Sequence, residues 1–166
     1  MDADLLEELY RKYYSAAVLY CTVLCGDEHL AQDIASDAFV KAYLSLPNDV
    51  PSFRYWLLRV CRNLWIDHLR KRKWEISPEP LQYMTDGVTP ETTYLRDERN
   101  RCLWRAISEL PPLDRELLTL HYISGLRLQE AAKLIGKSYD ATRQRMVRLR
   151  QTLRIRLEEM GYGQLE

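Results

Sequence analysis

The stretch RLQEAAKLIGKSYDATRQRMVRLRQTLRIR, residues 127–156, decides how the rest of the chain is read. Its apolar residues fall into two helical sets. Leu128, Ala131, Ala132 and Ile135 make one face, and Thr142, Met146, Leu149 and Leu153 make another. Gly136-Lys137-Ser138 separates them. Glycine can take the left-handed conformation that closes a helix, and serine can cap the next one by accepting an orphan backbone N–H. A short helix, a tight turn and a longer basic helix form the layout of a helix-turn-helix, whose second helix enters the DNA major groove.

Charge points the same way. The stretch carries nine Arg and Lys against Glu130 and Asp140 alone, a net of +7. With Thr142, Met146, Leu149 and Leu153 turned inward, Gln144 and Arg148 point almost directly outward, and Arg143, Arg145 and Val147 lie on the flanks. Arginine donates two bonds to guanine and glutamine two to adenine, while the remaining bases neutralise phosphates. The plainer reading, a solvated basic helix packed on its neighbour, accounts for the charge but not for the turn.

Working outward, 166 residues allow one domain or two small ones. No apolar run is long enough to span a bilayer, and the acidic start MDADLLEELY lacks a cleavable signal pattern, so a cytoplasmic location is expected. Cys21, Cys25, Cys61 and Cys102 sit among apolar helical positions with no histidine at ligand spacing. They read as free thiols, with neither metal nor disulfide framework. Formal net charge is zero, but it is unevenly spread. Residues 1–50 carry −6, residues 51–75 carry +5 and residues 76–100 carry −3. Two basic blocks set apart by acidic ones suggest two contacts with a polyanion and another surface for something else.

In the first half, Leu5, Leu6, Leu9, Tyr13, Ala17, Cys21 and Leu24 give a long amphipathic helix that Gly26 can close. Asp27 can cap a second helix, from Glu28 to about Tyr43, burying Ala31, Ile34, Ala35, Ala38 and Ala42. Asp33, Asp37 and Lys41 then form an outward line, which is ordinarily just a solvated face. Two prolines and Asn48-Asp49 make residues 45–52 a loop. A third helix, FRYWLLRVCRNLWIDHLRKRKW (53–74), turns Leu57, Val60, Cys61 and Leu64 inward and sets Arg59, Arg62, Arg70 and Lys73 on the opposite side. Its interleaved aromatics suit stacking on unpaired bases, although Trp56 and Trp65 fall close to the apolar face and are expected in the core.

From Ile76 to about Thr93, three prolines, a glycine and scattered acids show no period and read as a linker. About 20 extended residues reach ~65 Å at ~3.3 Å each. That suffices for two domains to bind sites more than one ~34 Å helical turn apart on a duplex. A helix through Leu103, Ala106, Ile107 and Leu110 then stops at Pro111-Pro112. Another carries Leu113, Leu117, Leu118 and Leu120 to Tyr122, ahead of the helix-turn-helix.

Taken together these pieces resemble the extracytoplasmic-function (ECF) group of bacterial RNA polymerase sigma factors, the minimal type with only its second and fourth conserved regions. The resemblance rests on LYRKYY (9–14), GDEHLAQDIASDAFVKAY (26–43), FRYWLLRVCRNLWIDHLRKRK (53–73) and AISELPPLDRELLTLHYISGLRLQEAAKLIGKSYDATRQRMVRLRQTLR (106–154). A helix-turn-helix alone is widely shared; both halves in order around a linker are not. The chain departs from the group's pattern at Gln32 and Ser36, where Glu and Gln are usual, and at Asp140-Ala141-Thr142, where a Gly-Thr-Val step is usual.

The resemblance implies an all-α fold of two small helical domains. Residues 1–75 would be a three- or four-helix region 2, residues 76–96 a flexible linker, and residues 97–160 a four-helix region 4. It further implies core RNA polymerase as partner, docked through the clamp helices of its largest subunit on Asp33, Asp37 and Phe39. Promoter DNA is the second partner. Asn48 and Asp49 would hold a flipped base of the −10 element, and Arg59, Arg62, Asn63 and Arg70 would line the adjacent duplex or strand. Ser138, Tyr139, Arg143, Gln144 and Arg148 would contact the −35 element. An anti-sigma factor, membrane-anchored or not, would hold the free monomer inactive. No catalytic constellation, metal or cofactor is expected, because the polymerase does the chemistry. The competing reading is a stand-alone helix-turn-helix regulator, which leaves the acidic and basic-aromatic helices of the first half without work.

Overall fold

The computed structural model describes residues 1–47, 52–75 and 98–161. Among them are seven α-helices and no strand. The chain divides into two compact units, Met1–Val88 and Thr89–Glu166; the expected linker, 76–96, lies outside the described residues.

In the first unit α1 (Ala3–Cys25), α2 (Glu28–Ser45) and α3 (Phe53–Glu75) pack on one another. The α1–α2 turn is built as the sequence requires. Gly26 is left-handed at φ 71°, and the Asp27 carboxylate accepts from the backbone N–H of His29 at 2.9 Å and of Leu30 at 3.2 Å. Ser52 does the same for α3, its Oγ accepting from Tyr55 N–H at 3.2 Å. Alanines 31, 35, 38 and 42 let α2 approach closely. Ala17, Tyr20, Cys21 and Leu24 meet them from α1, and Leu57, Leu58, Cys61 and Trp65 from α3.

Two expectations about this core change. Leu5 is 47% exposed, because α1 has 23 residues against 18 in its neighbour α2, ~35 Å against ~27 Å at 1.5 Å per residue. With Tyr14 and Phe39 packed ring to ring at 6.1 Å, the first turns of α1 run past the end of α2. Trp56 is only half-buried, stacked on Phe53 at 6.0 Å. It closes an aromatic cluster in which Tyr10, Tyr14, Phe39 and Phe53 tie the three helices together. Trp65, by contrast, is buried as expected.

The second unit holds α4 (Glu98–Ser108), α5 (Pro112–Leu118), α6 (Leu128–Ile135) and α7 (Tyr139–Glu159). Its core joins Trp104, Ala106, Ile107 and Leu110 to Leu117, Leu118, Leu120, Ala131, Ile135, Met146, Leu149 and Leu157. Pro112 opens α5, where a missing N–H costs nothing. Beyond Leu118 the helix widens into a π-helical turn, Thr119–Ile123, with Ser124 N–H bonded to Thr119 C=O at 2.8 Å. His121 Nδ1 lies 2.8 Å from the Leu126 carbonyl, and Tyr122 stands exposed. Asp114, Arg115 and Glu116 are all buried despite their charge. Arg115 Nη1 donates to the Ser108 carbonyl at 3.0 Å, and burial pulls its guanidinium below the usual value.

Candidate nucleic-acid interface

The turn between α6 and α7 sets the aim of the recognition helix. Gly136 is left-handed at φ 74°. An added Cβ there would meet nothing within 4 Å, so backbone conformation alone calls for glycine. Lys137 N–H reaches back to Ala132 C=O at 3.0 Å. Ser138 then caps α7, its Oγ accepting from Ala141 N–H at 3.2 Å, while Thr142 Oγ1 donates to the Ser138 carbonyl at 2.8 Å. That last bond satisfies a hydroxyl that the core would otherwise leave unpaired. Asp140 sits exposed in the first turn, where its charge complements the helix dipole.

The basic residues of the stretch separate into two groups. Arg145 Nε donates to the Asp114 carboxylate on α5. Arg150 Nε donates to the Tyr122 hydroxyl at 2.5 Å and its guanidinium lies 5.8 Å from that ring. Arg156 Nη1 reaches the Ala106 carbonyl at 3.5 Å and Glu109 at 3.4 Å on and just after α4. These three arginines tether α7 to its neighbours, and Arg127 is held by Glu130 at 2.6 Å. Arg143, Arg148, Arg154, Lys133 and Lys137 make no ion pair among the described residues. Arg143, Gln144, Val147 and Arg148 line one shallow depression on the outer face of α7. Ser138 and Tyr139 are exposed at its N-terminal end. Periodicity turns Arg148 outward and sets Arg143 and Arg145 alike on the flanks, but it does not mark the tethers, whose partners lie 28 to 50 residues away.

In the first unit Asp33 and Asp37 are exposed on α2. Phe39 is not beside them. It is 4% exposed, with its ring against Tyr10 at 5.2 Å, so it supports the helix from beneath rather than standing on the acidic face. The apolar groups on the acidic face are Val40, 55% exposed, and Leu44, 74% exposed. Positions 33, 37, 40 and 44 share one helical face. Sequence reading passed over Val40 and Leu44, although their lack of a core-facing register was the available signal.

On α3, Arg59, Asn63 and Arg70 are exposed and Arg62 is half-buried. Arg70 lies 3.7 Å from Asp67 in a solvent-exposed pair, which holds it only weakly. Residues 59, 63 and 70 follow the same face, and Arg62 borders it. Tyr13 of α1 is flanked by Lys12 Nζ at 5.3 Å and Arg54 at 5.4 Å from its ring centroid. Asn48 and Asp49 lie outside the described residues.

Both units are similar to known proteins. The family description Sigma-70 region 2 matches residues 7–75, and Sigma-70, region 4 matches residues 100–153. The ECF RNA polymerase sigma factor SigW of Bacillus subtilis is 30% identical over 172 residues, covering 96% of this chain and 92% of that protein. SigM of the same organism is 30% identical over 152 residues, covering 90% and 93%. In fold, the chain is similar to the sigma factor RpoE of Bartonella quintana, solved with the anti-sigma factor NepR. The TM-score is 0.67 at 23% identity, over 95% of this chain and 98% of that one. CnrH, solved with the cytosolic domain of CnrY, gives 0.63 at 22% identity, over 95% and 90%. With both conserved regions present in order and a relative at 30% identity spanning nearly the full length of each protein, the chain belongs to the ECF group of RNA polymerase sigma factors.

Proposed function

We propose that this chain is a cytoplasmic promoter-specificity subunit in which the face of each unit has a separate task. Asp33 and Asp37, joined by Val40 and Leu44, dock on the clamp helices of the largest polymerase subunit. Arg59, Arg62, Asn63 and Arg70 hold the −10 region, where Asn48 and Asp49 receive a flipped base. Ser138, Tyr139, Arg143, Gln144 and Arg148 face the −35 element. Residues 1–75 and 97–160 act as the two DNA-binding domains, joined by 76–96. The chain supplies binding energy and positioning; bond making belongs to the polymerase.

The observation that carries this reading is the division of labour on α7. Three arginines fix the helix to the domain, while Arg143, Gln144 and Arg148 are left facing outward. Base flipping costs a few kcal/mol of unstacking, which polymerase contacts and the basic face of α3 offset. The complex of RpoE with the anti-sigma factor NepR supports an anti-sigma partner for this chain as well. Among the described residues no helix is long and apolar enough to cross a membrane, which accords with action on a soluble polymerase. The test is run-off transcription from a genomic promoter library with purified bacterial core polymerase. Addition of the chain should start RNA at defined nucleotides. Absence of any chain-dependent start would refute the proposal.

A further inference from the structure

Three large apolar side chains are exposed on α7, Tyr139 in its first turn, Ile155 toward its C-terminal end and Val147 between them, and of these Val147 alone lines the depression on the outward face. Arg143, Gln144 and Arg148 end in guanidinium and amide groups, and Val147 stands among them, lining the same depression and 48% exposed. The fold gains little from it, since its chain neighbour Met146 and, two residues on, Leu149 already fill the inner side. Single apolar side chains on a surface are ordinary. This one is set apart by its company: at i−4, i−3 and i+1 it is flanked by donors whose geometry matches base edges. In the major groove only one apolar group projects from the bases, the C5 methyl of thymine.

We propose that Val147 reads a thymine methyl in the −35 element, adding an apolar contact to the hydrogen bonds assigned to Arg143, Gln144 and Arg148. The inference rests on the −35 reading above. Four residues separate Arg143 from Val147, a rise of ~6 Å along the helix, or about two base-pair steps of ~3.4 Å. The thymine therefore lies within about two base pairs of the base met by Arg143. Valine has neither donor nor acceptor, so a cytosine turned toward it would offer no methyl and would leave the N–H that its amino group directs into the groove without a partner. Such a group is disfavoured once water is excluded.

The experiment uses holoenzyme assembled from the full chain and bacterial core polymerase, selecting from a duplex library randomised over the −35 region. In the selected duplex each thymine is replaced in turn by deoxyuridine, which removes the methyl and nothing else. One thymine, within two base pairs of the position that Arg143→Ala disturbs, should lose binding ~4-fold on replacement, the worth of one buried methyl. That loss should vanish in Val147→Ala and persist in Val147→Ile. The proposal is overturned if no thymine is selected there, if none is methyl-sensitive, or if the sensitivity survives in Val147→Ala. A library returning no −35 preference refutes the parent reading along with this one. A preference that Arg143→Ala alters, without a methyl-sensitive thymine, refutes this one alone.

Discussion

Arg145 and Arg148 stand three residues apart on α7, yet their removal should have opposite consequences. Arg145 Nε donates to Asp114, whose side chain is 12% exposed, while that of Arg145 is 37% exposed. Arg145→Ala strands a nearly buried carboxylate. Breaking a fully buried pair costs ~3–5 kcal/mol and losing a hydrogen bond to a charged group ~1.5–3. The half-solvated guanidinium puts this case near ~2 kcal/mol. Amide hydrogen exchange in the full chain reads that loss unit by unit, with α1–α3 as internal control. At ~1.4 kcal/mol per tenfold, peptides from α4, α5 and α7 should exchange ~30-fold faster in Arg145→Ala, and those from α1–α3 should not change. Arg148→Ala removes a side chain with no ion pair or hydrogen bond among the described residues, so exchange should shift less than ~2-fold. Its effect belongs to DNA. Competition between duplexes altered at single −35 positions, with holoenzyme at fixed salt, should show ~1–3 kcal/mol of discrimination lost at one position only. Arg145→Ala should preserve the ranking of duplexes. If Arg145→Ala exchanges like the parent chain, or if Arg148→Ala weakens all duplexes equally, the division of α7 into tethers and readers is wrong.

Other outcomes follow from the same geometry. Asp37→Lys and Leu44→Glu should each reduce capture of core polymerase in pull-down while the near-ultraviolet circular dichroism stays unchanged; undiminished capture by both would remove this face from the contact. Gly136→Ala, forced to hold a left-handed backbone, should destabilise the second unit by ~1–2 kcal/mol, and Ser138→Ala by ~1 kcal/mol through the lost cap, both measured by urea unfolding. A hydrogen bond with the Cys61 thiol, together with burial, pushes the Cys21 thiol well above its usual value. Cys21 should therefore resist alkylation at pH 8 until the chain is unfolded. Because its folded pKa is raised, the stability linked to Cys21 is complete below the unfolded-state pKa and falls as pH rises through alkaline values. Denaturation midpoints flat from pH 8 to 10.5 would contradict this.

Where periodicity and turn chemistry act locally, the sequence was sufficient. Gly26, Asp27, Gly136 and Ser138 each sit where their backbone preference demands. The alanine face of α2 is also buried as spaced. Phe39 shows where a single apolar stripe misleads. Lodged between α1 and α3, α2 buries more than one stripe, so a residue one step off the alanine line still falls inside. Tyr20 is fully buried for the same reason on α1. Asp114, Arg115 and Glu116 could not be placed from composition. Three consecutive charges read as surface, yet Arg145, 31 residues on, meets the Asp114 carboxylate and the Ser108 carbonyl takes a bond from Arg115. Arg145 itself looked like one more phosphate contact.

The π-helical turn at Thr119–Ile123 carries a consequence for engineering. Each such turn takes up one residue more than α geometry would, and a residue is worth ~100° of rotation about the axis. Excising a single residue there would restore ordinary winding and swing everything downstream by that angle, dragging Leu126 from its socket and pointing α6 and α7 elsewhere. A one-residue deletion at this spot should therefore be worse tolerated than most point substitutions nearby, and a deep indel scan would find it as an isolated minimum.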